Sequence, residues 1–530
     1  MVTSDGQLVE REAEQRVQHP DARSLAPSRR HPASSLLLHR FFVVDPTTRK
    51  SSMPQPLHPD GRPNPVPADA QRRDFILRGA AGLAGAAGLA AGGWPLRALA
   101  QAVSPLTFAF WPWGSEIVQQ GAARFTQESG VPVNLSPIPG DYAAVLETQL
   151  AAKAPLDMFY AQRGQASRWY AAGWIRPIDD MPGLADIQKQ MFPGIVEDAK
   201  ATDGRYLGLT YYNGGPYALF RNEKMLGEAG YGGTANAADY PRDWATVEKQ
   251  AREIKQKGLA QHPMLMPWYN AWTGLPWALI AQCFAEGERF VDGELRATFG
   301  PDTPLTKVLS DWKRWWDDEL VQRAVLTWSG TETSSSWMKG QHAFHLNIDY
   351  YSFNYNDPAK SQIAEYSSYN PVVPGATHDT VLVGHALLCM STRKRGDAEQ
   401  AALWELVKYF GYRDRAGQLT THKNWIAKAN LEVPFPELYR DPESRAAIMK
   451  WMYPAHREQV YQWLFEGREK AVAANILKAP WYQEWDTGMH EMIAQDMLIK
   501  GTRTPAQVAT ELRARWDGLY KKYAKILKRS

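Results

Sequence analysis

Cysteine is almost absent: Cys283 and Cys389 are the only two in 530 residues. A fold held by several disulfides is therefore excluded. Each thiol sits in an apolar setting, IAQCFAE and HALLCMS, of the kind a buried free thiol prefers, while pairing of the two stays open from sequence alone. The chain has no C-x-x-C, no H-E-x-x-H and no His and Cys clustered at metal spacing, so neither a metal nor a cofactor is expected. The G-x-S-x-G elbow is missing as well. An excess of one charge is also lacking, since 60 Lys and Arg face 57 Asp and Glu, and the surplus of +3 includes a basic leader. Nothing here is a nucleic-acid footprint. The runs Asp179-Asp180 and Asp317-Asp318-Glu319 are not catalytic pairs, because adjacent residues of a helix or strand do not face one another. They are expected to form a solvated turn and a helix face, and no catalytic residue is assigned. Internal repeats and coiled-coil heptads are absent.

One long uncharged run is present, at 79–96, preceded by Gln71-Arg72-Arg73-Asp74-Phe75-Ile76-Leu77 and followed by Ala100-Gln101-Ala102. Paired arginines, a weakly apolar stretch and an A-x-A site read as a twin-arginine signal peptide at 71–102, whose cargo folds before export to the periplasm. The alternative is a transmembrane anchor, since the run reaches the ~18 residues a bilayer needs. Its Ala and Gly content, with Trp94, Pro95 and Arg97 at its end, favours a cleaved signal. Residues 1–70 are rich in Pro, Arg, Ser and His without apolar period, and read as a disordered or untranslated leader. Met53 offers a later start. The remainder, 103–530, is longer than the ~250–300 residues at which one core stops growing, so two lobes are expected.

Within that remainder, 106–110 reads as a strand running into Trp111-Pro112-Trp113-Gly114, then a helix at 115–129 closed by Gly130, then a strand at 131–135. This βαβ unit implies a parallel sheet and an α/β fold. A buried strand at 156–160 and a helix at 164–172 follow. The cluster Asn213-Gly214-Gly215-Pro216 separates strands at 206–210 and 217–220 and marks a turn or hinge. A helix from Asp397, with Gln400 at its third position, runs to Gly411. The last helix starts at Thr504-Pro505 with Gln507.

In order, these pieces resemble the extracellular solute-binding proteins of sugar-type ABC importers, the maltodextrin-binding-protein-like group (solute-binding family 1). The most specific stretch is DGRYLGLTYYNGGPYALFRNEKMLGEAGY at 203–231, followed by PRDWATVEKQAREIKQKG at 241–258. Arg221-Asn222 stands where Tyr-Asn is usual in the family. Further matches are APLDMFYAQRGQASRWYAAGWIRPIDD, SSSWMKGQHAFHLNIDYYS, NPVVPG, and LIKGTRTPAQVATELRARWDGL near the end. The resemblance implies a two-lobed, type II-like periplasmic-binding-protein fold with a cleft between lobes joined by hinge crossovers. Lobe one would hold 103–213 and 370–425, lobe two 217–369 and 426–530. It also implies a monomer that performs no chemistry and hands its ligand to the permease subunits of an ABC importer.

Ligands of parallel α/β lobes sit beyond the carboxyl ends of strands, so the loops just after strands supply the candidates. They are Trp111 and Trp113; Tyr160 and Arg163; Tyr211, Tyr212 and Asn213; Trp268, Tyr269 and Trp272; Asn347, Asp349 and Tyr350; and His385. Flat aromatics beside Asn, Asp, Arg and His suit a carbohydrate or polyol, whose C–H face lies on a ring while its hydroxyls need paired donors and acceptors. The 21 tryptophans lean the same way, although Trp312, Trp315 and Trp316 recur at helical spacing and read as core. Two alternatives stay open. Tyr211-Tyr212 and Tyr350-Tyr351 invite a ferric-iron reading, against which neighbouring residues of a strand point to opposite faces. A secreted enzyme acting on polysaccharide would need carboxylates that only folding brings together.

Overall fold

The computed structural model describes residues 103–213, 216–231, 240–271, 273–382 and 385–527. The leader, the twin-arginine signal and Trp272 lie outside these residues, as does the side chain of Asn213. No helix among the described residues is long and apolar enough to cross a membrane.

The βαβ unit forms as its sequence predicts. Strand β1 (Leu106–Phe110) leads through Trp111–Gly114 into the helix Ser115–Ser129, whose closing Gly130 takes φ 75° and donates its N–H to the Thr126 carbonyl at 2.8 Å. Strand β2 (Val133–Pro137) returns parallel to β1, two residues later than the sequence suggests. Strand β3 (Met158–Gln162) pairs with the other side of β1, and its first four residues are buried on both faces, as a central parallel strand requires. With β4 (Ile175–Arg176), β5 (Leu209–Asn213) and β11 (His385–Ser391) these strands make the first sheet, in the order β2-β1-β3-β11. The late strand β11 runs antiparallel to β3, β4 and β5.

The second sheet follows the order β7-β8-β6-β9, from β6 (Tyr217–Asn222), β7 (Met264–Leu265), β8 (Phe344–Ile348) and β9 (Ser367–Asn370). The chain therefore leaves the first sheet after β5 and returns to it after β9, passing β10 (Val381–Leu382), which pairs with β12 (Val472–Ala473). The result is a two-lobed α/β fold. Helix Leu275–Ala285 is buried at every position, and its Ala, Leu, Ile and Phe content leaves no polar face to solvent. Segment 475–486 packs on helices that flank the first sheet: Lys478 meets Glu197 of helix Pro193–Asp198 at 2.7 Å, and Ser167 Oγ of helix Arg163–Ala171 donates to the Leu477 carbonyl at 3.4 Å.

Several local expectations meet their outcome here. Thr504 and Gln507 exchange hydrogen bonds at 2.8 and 3.3 Å, closing the last helix's start. Helix Asp397–Gly411 starts one residue earlier than its aspartate suggests: Gly396 takes the cap position and donates its N–H to Glu399, not Gln400. Arg221, unusual for the resemblance, is buried, paired with Glu223 at 3.0 Å and laid over the Tyr240 ring at 4.2 Å. Asn222 caps the helix Glu223–Glu228. Trp312 and Trp315 are core residues whose indoles donate to Gln282 and Glu248 at 2.5 and 2.9 Å. Cys283 and Cys389 are free and buried, one in a helix of the second lobe and one in β11, and burial pushes both thiols up.

Candidate functional site

A cavity of about 770 Å³ opens where the ends of β1, β3, β5 and β8 meet the start of β11. Register explains the convergence. Because β11 runs antiparallel, its first residues lie beside the carboxyl ends of its neighbours, with Ala386 opposite both Gln162 and Tyr212.

The first wall is aromatic. β1 ends at Phe110, so Trp111 and Trp113 project beyond the sheet. Trp111 packs on Tyr160 at 4.6 Å and edge-on to Tyr142 at 5.2 Å. Trp113, 46% exposed, lies parallel to Trp425 at 5.6 Å with 13° between the rings. Gly114 makes that stack possible: it adopts φ 69°, and a Cβ there would stand 2.3 Å from the Trp425 ring. Tyr212 fills the corner between Trp111, Trp113 and Trp425.

The facing wall comes from the second lobe. After β8 the chain turns through a 3₁₀ segment, Asp349–Tyr351, which brings Tyr350 and Tyr351 to the same side, stacked at 4.6 Å. Both line the cavity with Ile348, Thr273 and Trp277. Strand alternation, the sequence argument that separates these two tyrosines, does not apply because β8 ends at Ile348. Behind them Arg468 donates to Asp349 at 2.6 Å and pairs with Glu432, all three being buried. Burial, then the charge of Glu432, pushes the Asp349 carboxyl well up. Burial opposes the charge of Arg468, but Glu432 and Asp349 outweigh it and hold the guanidinium ionised. The cluster ties the Tyr350 turn and the Leu431 loop to helix Arg457–Glu469.

Polar groups complete the lining: Asp141, Gln162, Gln165, His385 and Gln483. Asp141 caps helix Tyr142–Ala151 by accepting from Ala144 N–H at 3.1 Å. Gln165 Oε1 accepts from Gln162 N–H at 3.1 Å and so fixes the start of helix Arg163–Ala171. His385 Nδ1 meets Asp198 Oδ2 at 2.7 Å. The Tyr142 hydroxyl donates to the Tyr160 carbonyl at 2.9 Å. Burial pushes the phenols of Tyr212 and Tyr350 well above their ordinary range.

Of the residues singled out from sequence, Trp111, Trp113, Tyr212, Tyr350 and His385 line the cavity. Tyr160 and Tyr211 lie one layer down, in the core beneath the aromatic wall. Arg163 is buried away from the cavity, donating to Ser167 Oγ at 2.7 Å and to the Lys200 carbonyl. Trp268 packs on Trp312 at 4.9 Å, Tyr269 bonds the Thr273 carbonyl at 3.1 Å, and Asn347 donates to Tyr355 at 2.7 Å. Asp349 sits behind the wall. Sequence reasoning passed over Tyr142, Gln162, Gln165, Trp277 and Gln483, and named Tyr351 only in the ferric-iron pair with Tyr350. The signal for Gln162 was the true end of β3, two residues beyond Tyr160.

Comparison with known proteins adds to this geometry. The profile of a family described as bacterial extracellular solute-binding protein matches residues 120–427. A sequence comparison with curated proteins gives no match. Among solved structures, the chain is similar to maltose-bound MalE3 of T. maritima, with 15% identity and TM-score 0.62 over 78% of this chain and 99% of that one. The sugar-binding protein MalE of Xanthomonas citri gives 17% identity and TM-score 0.63 over 81% and 100%. An ABC transporter solute-binding protein of Agrobacterium vitis with bound D-mannitol gives 15% identity and TM-score 0.58 over 79% and 98%.

Proposed function

We propose that this chain, which belongs to the bacterial extracellular solute-binding proteins, captures a neutral carbohydrate or polyol and delivers it to the permease of an ABC importer. The observation that carries the reading is the lining of the 770 Å³ cavity: Trp111, Trp113 and Tyr212 face Tyr350, Tyr351 and Trp277, with amides between them. Rings on both sides accept the C–H faces of a pyranose or an extended polyol, and amides serve hydroxyls as donor or acceptor. Among the described lining residues there is no Lys or Arg, and the one carboxylate, Asp141, is engaged as a helix cap. An anionic solute would lose its hydration without a counter-charge, which disfavours it. The named ligands of the structural neighbours, maltose and D-mannitol, are neutral and polyhydroxylated.

In this reading the lobes are 103–213 with 370–425 and 217–369 with 426–530. They close over the ligand by bending at the crossovers, and the protein reaches the periplasm by the twin-arginine route as a monomer. In this reading it performs no chemistry; the common route of glycoside hydrolysis uses two facing carboxylates, and the described lining holds one. Ferric iron is disfavoured because Tyr211, half of one tyrosine pair that invites it, lies in the core beneath the cavity wall, and the one carboxylate of the described lining, Asp141, is engaged as a helix cap.

A thermal-shift screen of the purified chain against maltose, chitin oligosaccharides, ribitol, D-mannitol, uronic acids and ferric citrate tests the reading. A neutral ligand at a hundred times its Kd adds about 2.7 kcal/mol and raises Tm. A shift with uronic acid or ferric citrate alone contradicts the proposal.

A further inference from the structure

We infer that Gln483 reads the hydroxyl pattern of the ligand, its carboxamide taking two adjacent hydroxyls at once, one donating to Oε1 and the other accepting from Nε2. This rests on the neutral carbohydrate or polyol reading above and adds a chemical requirement to it, a vicinal diol. Gln483 lines the cavity and is half-buried, so its side chain stays within reach of what enters. Its backbone carbonyl accepts from Thr487 N–H at 3.4 Å and from Thr487 Oγ1 at 2.6 Å, whereas its carboxamide bonds to no group among the described residues. An amide carries a donor and an acceptor side by side, and a vicinal diol presents the matching pair.

That sets it apart from the other polar side chains of the lining. The Tyr142 hydroxyl donates to the Tyr160 carbonyl, Asp141 Oδ1 serves Ala144, and Thr273 Oγ1 meets the Tyr269 hydroxyl at 3.2 Å. Gln162 and Gln165 form the capping box of helix Arg163–Ala171, and the His385 side chain is wholly buried against Asp198. Those groups hold elements together. The backbone that carries Gln483 is itself fixed from both sides. In helix Tyr482–Asp486, Tyr482 lies so close to Gly164 that a Cβ there would stand 3.2 Å from its ring, and the Trp485 indole donates to the Leu512 carbonyl at 2.9 Å. The preceding Trp481 packs edge-on to Trp516 at 5.5 Å. Only the amide is left to turn towards a ligand, so little ordering of the protein opposes the contact.

Isothermal titration of the purified chain with maltose, ribitol and D-mannitol tests the assignment. For any that binds the wild type, Gln483→Met, which keeps the side chain's length and removes its amide, should weaken binding about tenfold, the loss expected when the hydrogen bonds of one amide go unmade. The unliganded variant should melt at the wild-type Tm, because the amide holds nothing inside the protein. Derivatives of the same solute lacking one hydroxyl at a time then locate the contact. The wild type should bind more weakly the two that lack either of a pair of adjacent hydroxyls, and Gln483→Met should bind those two no worse than the parent solute. An unchanged Kd in Gln483→Met, a Tm that falls together with affinity, or the same penalty for every missing hydroxyl in both proteins overturns this inference alone. Failure of all three solutes to bind the wild type overturns the parent reading with it.

Discussion

Arg468 is a buried cation between two buried carboxylates, Asp349 and Glu432, directly behind the tyrosines of the cavity. Removing one partner of such a cluster is more damaging than its net worth suggests, because the remaining charges stay buried. Arg468→Met is therefore expected to cost about 3–5 kcal/mol in chemical denaturation. The sign of the pH response follows from Asp349, whose folded pKa is raised by burial and by Glu432. A carboxyl with raised pKa favours the folded state below its unfolded value and loses that contribution as pH rises through the folded value. The variant should accordingly be least stable at alkaline pH and recover partly on acidification. A variant equally unstable across pH would contradict this account of the cluster. Trp113 makes a contrasting case, being a half-exposed ring on the rim. Trp113→Ala should leave Tm nearly unchanged while weakening ligand binding by about 1 kcal/mol, the worth of one aromatic contact, measured by titration.

At the scale of elements, helices Trp244–Gln256 and Pro304–Asp317 are joined through Glu248, which accepts from Arg314 at 2.6 Å, Arg252 at 2.7 Å and Trp315 at 2.9 Å. Burial alone would raise this carboxyl, but the hydrogen bonds outweigh it and hold its pKa at about 2. Its folded value lies below the ordinary 4.5, so its contribution is present above that value and lost as pH falls towards 2. Glu248→Gln should flatten the fall of Tm with acid in that window, and an unchanged profile would rule the pairing out as a stabiliser. Gly114→Ala should destabilise by about 1–3 kcal/mol, because the left-handed backbone and the Trp425 ring both oppose a Cβ. The same elements show what a sequence makes legible. The βαβ start was readable because Gly130 stops its helix and apolar residues alternate in β1. Trp111 and Trp113 followed at once, since the end of β1 was clear. Gln162 was missed because β3 runs two residues past Tyr160, and Trp268 was misplaced because β7 is two residues long and its indole turns onto Trp312. Trp277 gave no signal at all: a helix buried on every side carries no pattern that says which face meets a cavity.

For the whole molecule, collinear order carried more than any single motif. The chain passes between its sheets after β5 and again between β9 and β11, and the candidate cavity lies where those passages meet the strand ends. A ligand touching both walls gains most when they approach, so saturating ligand should give a smaller radius of gyration in solution scattering. An unchanged scattering curve at saturation would remove hinge closure from the account. The central claim concerns what fills the cavity. It is tested most directly by calorimetric titration with the neutral solute chosen by the thermal screen, followed by recovery of that solute from the complex. The account predicts saturable one-to-one binding, a negative heat-capacity change from buried aromatic surface, and a ligand recovered unaltered. Binding confined to charged solutes, or a ligand recovered cleaved, would contradict it.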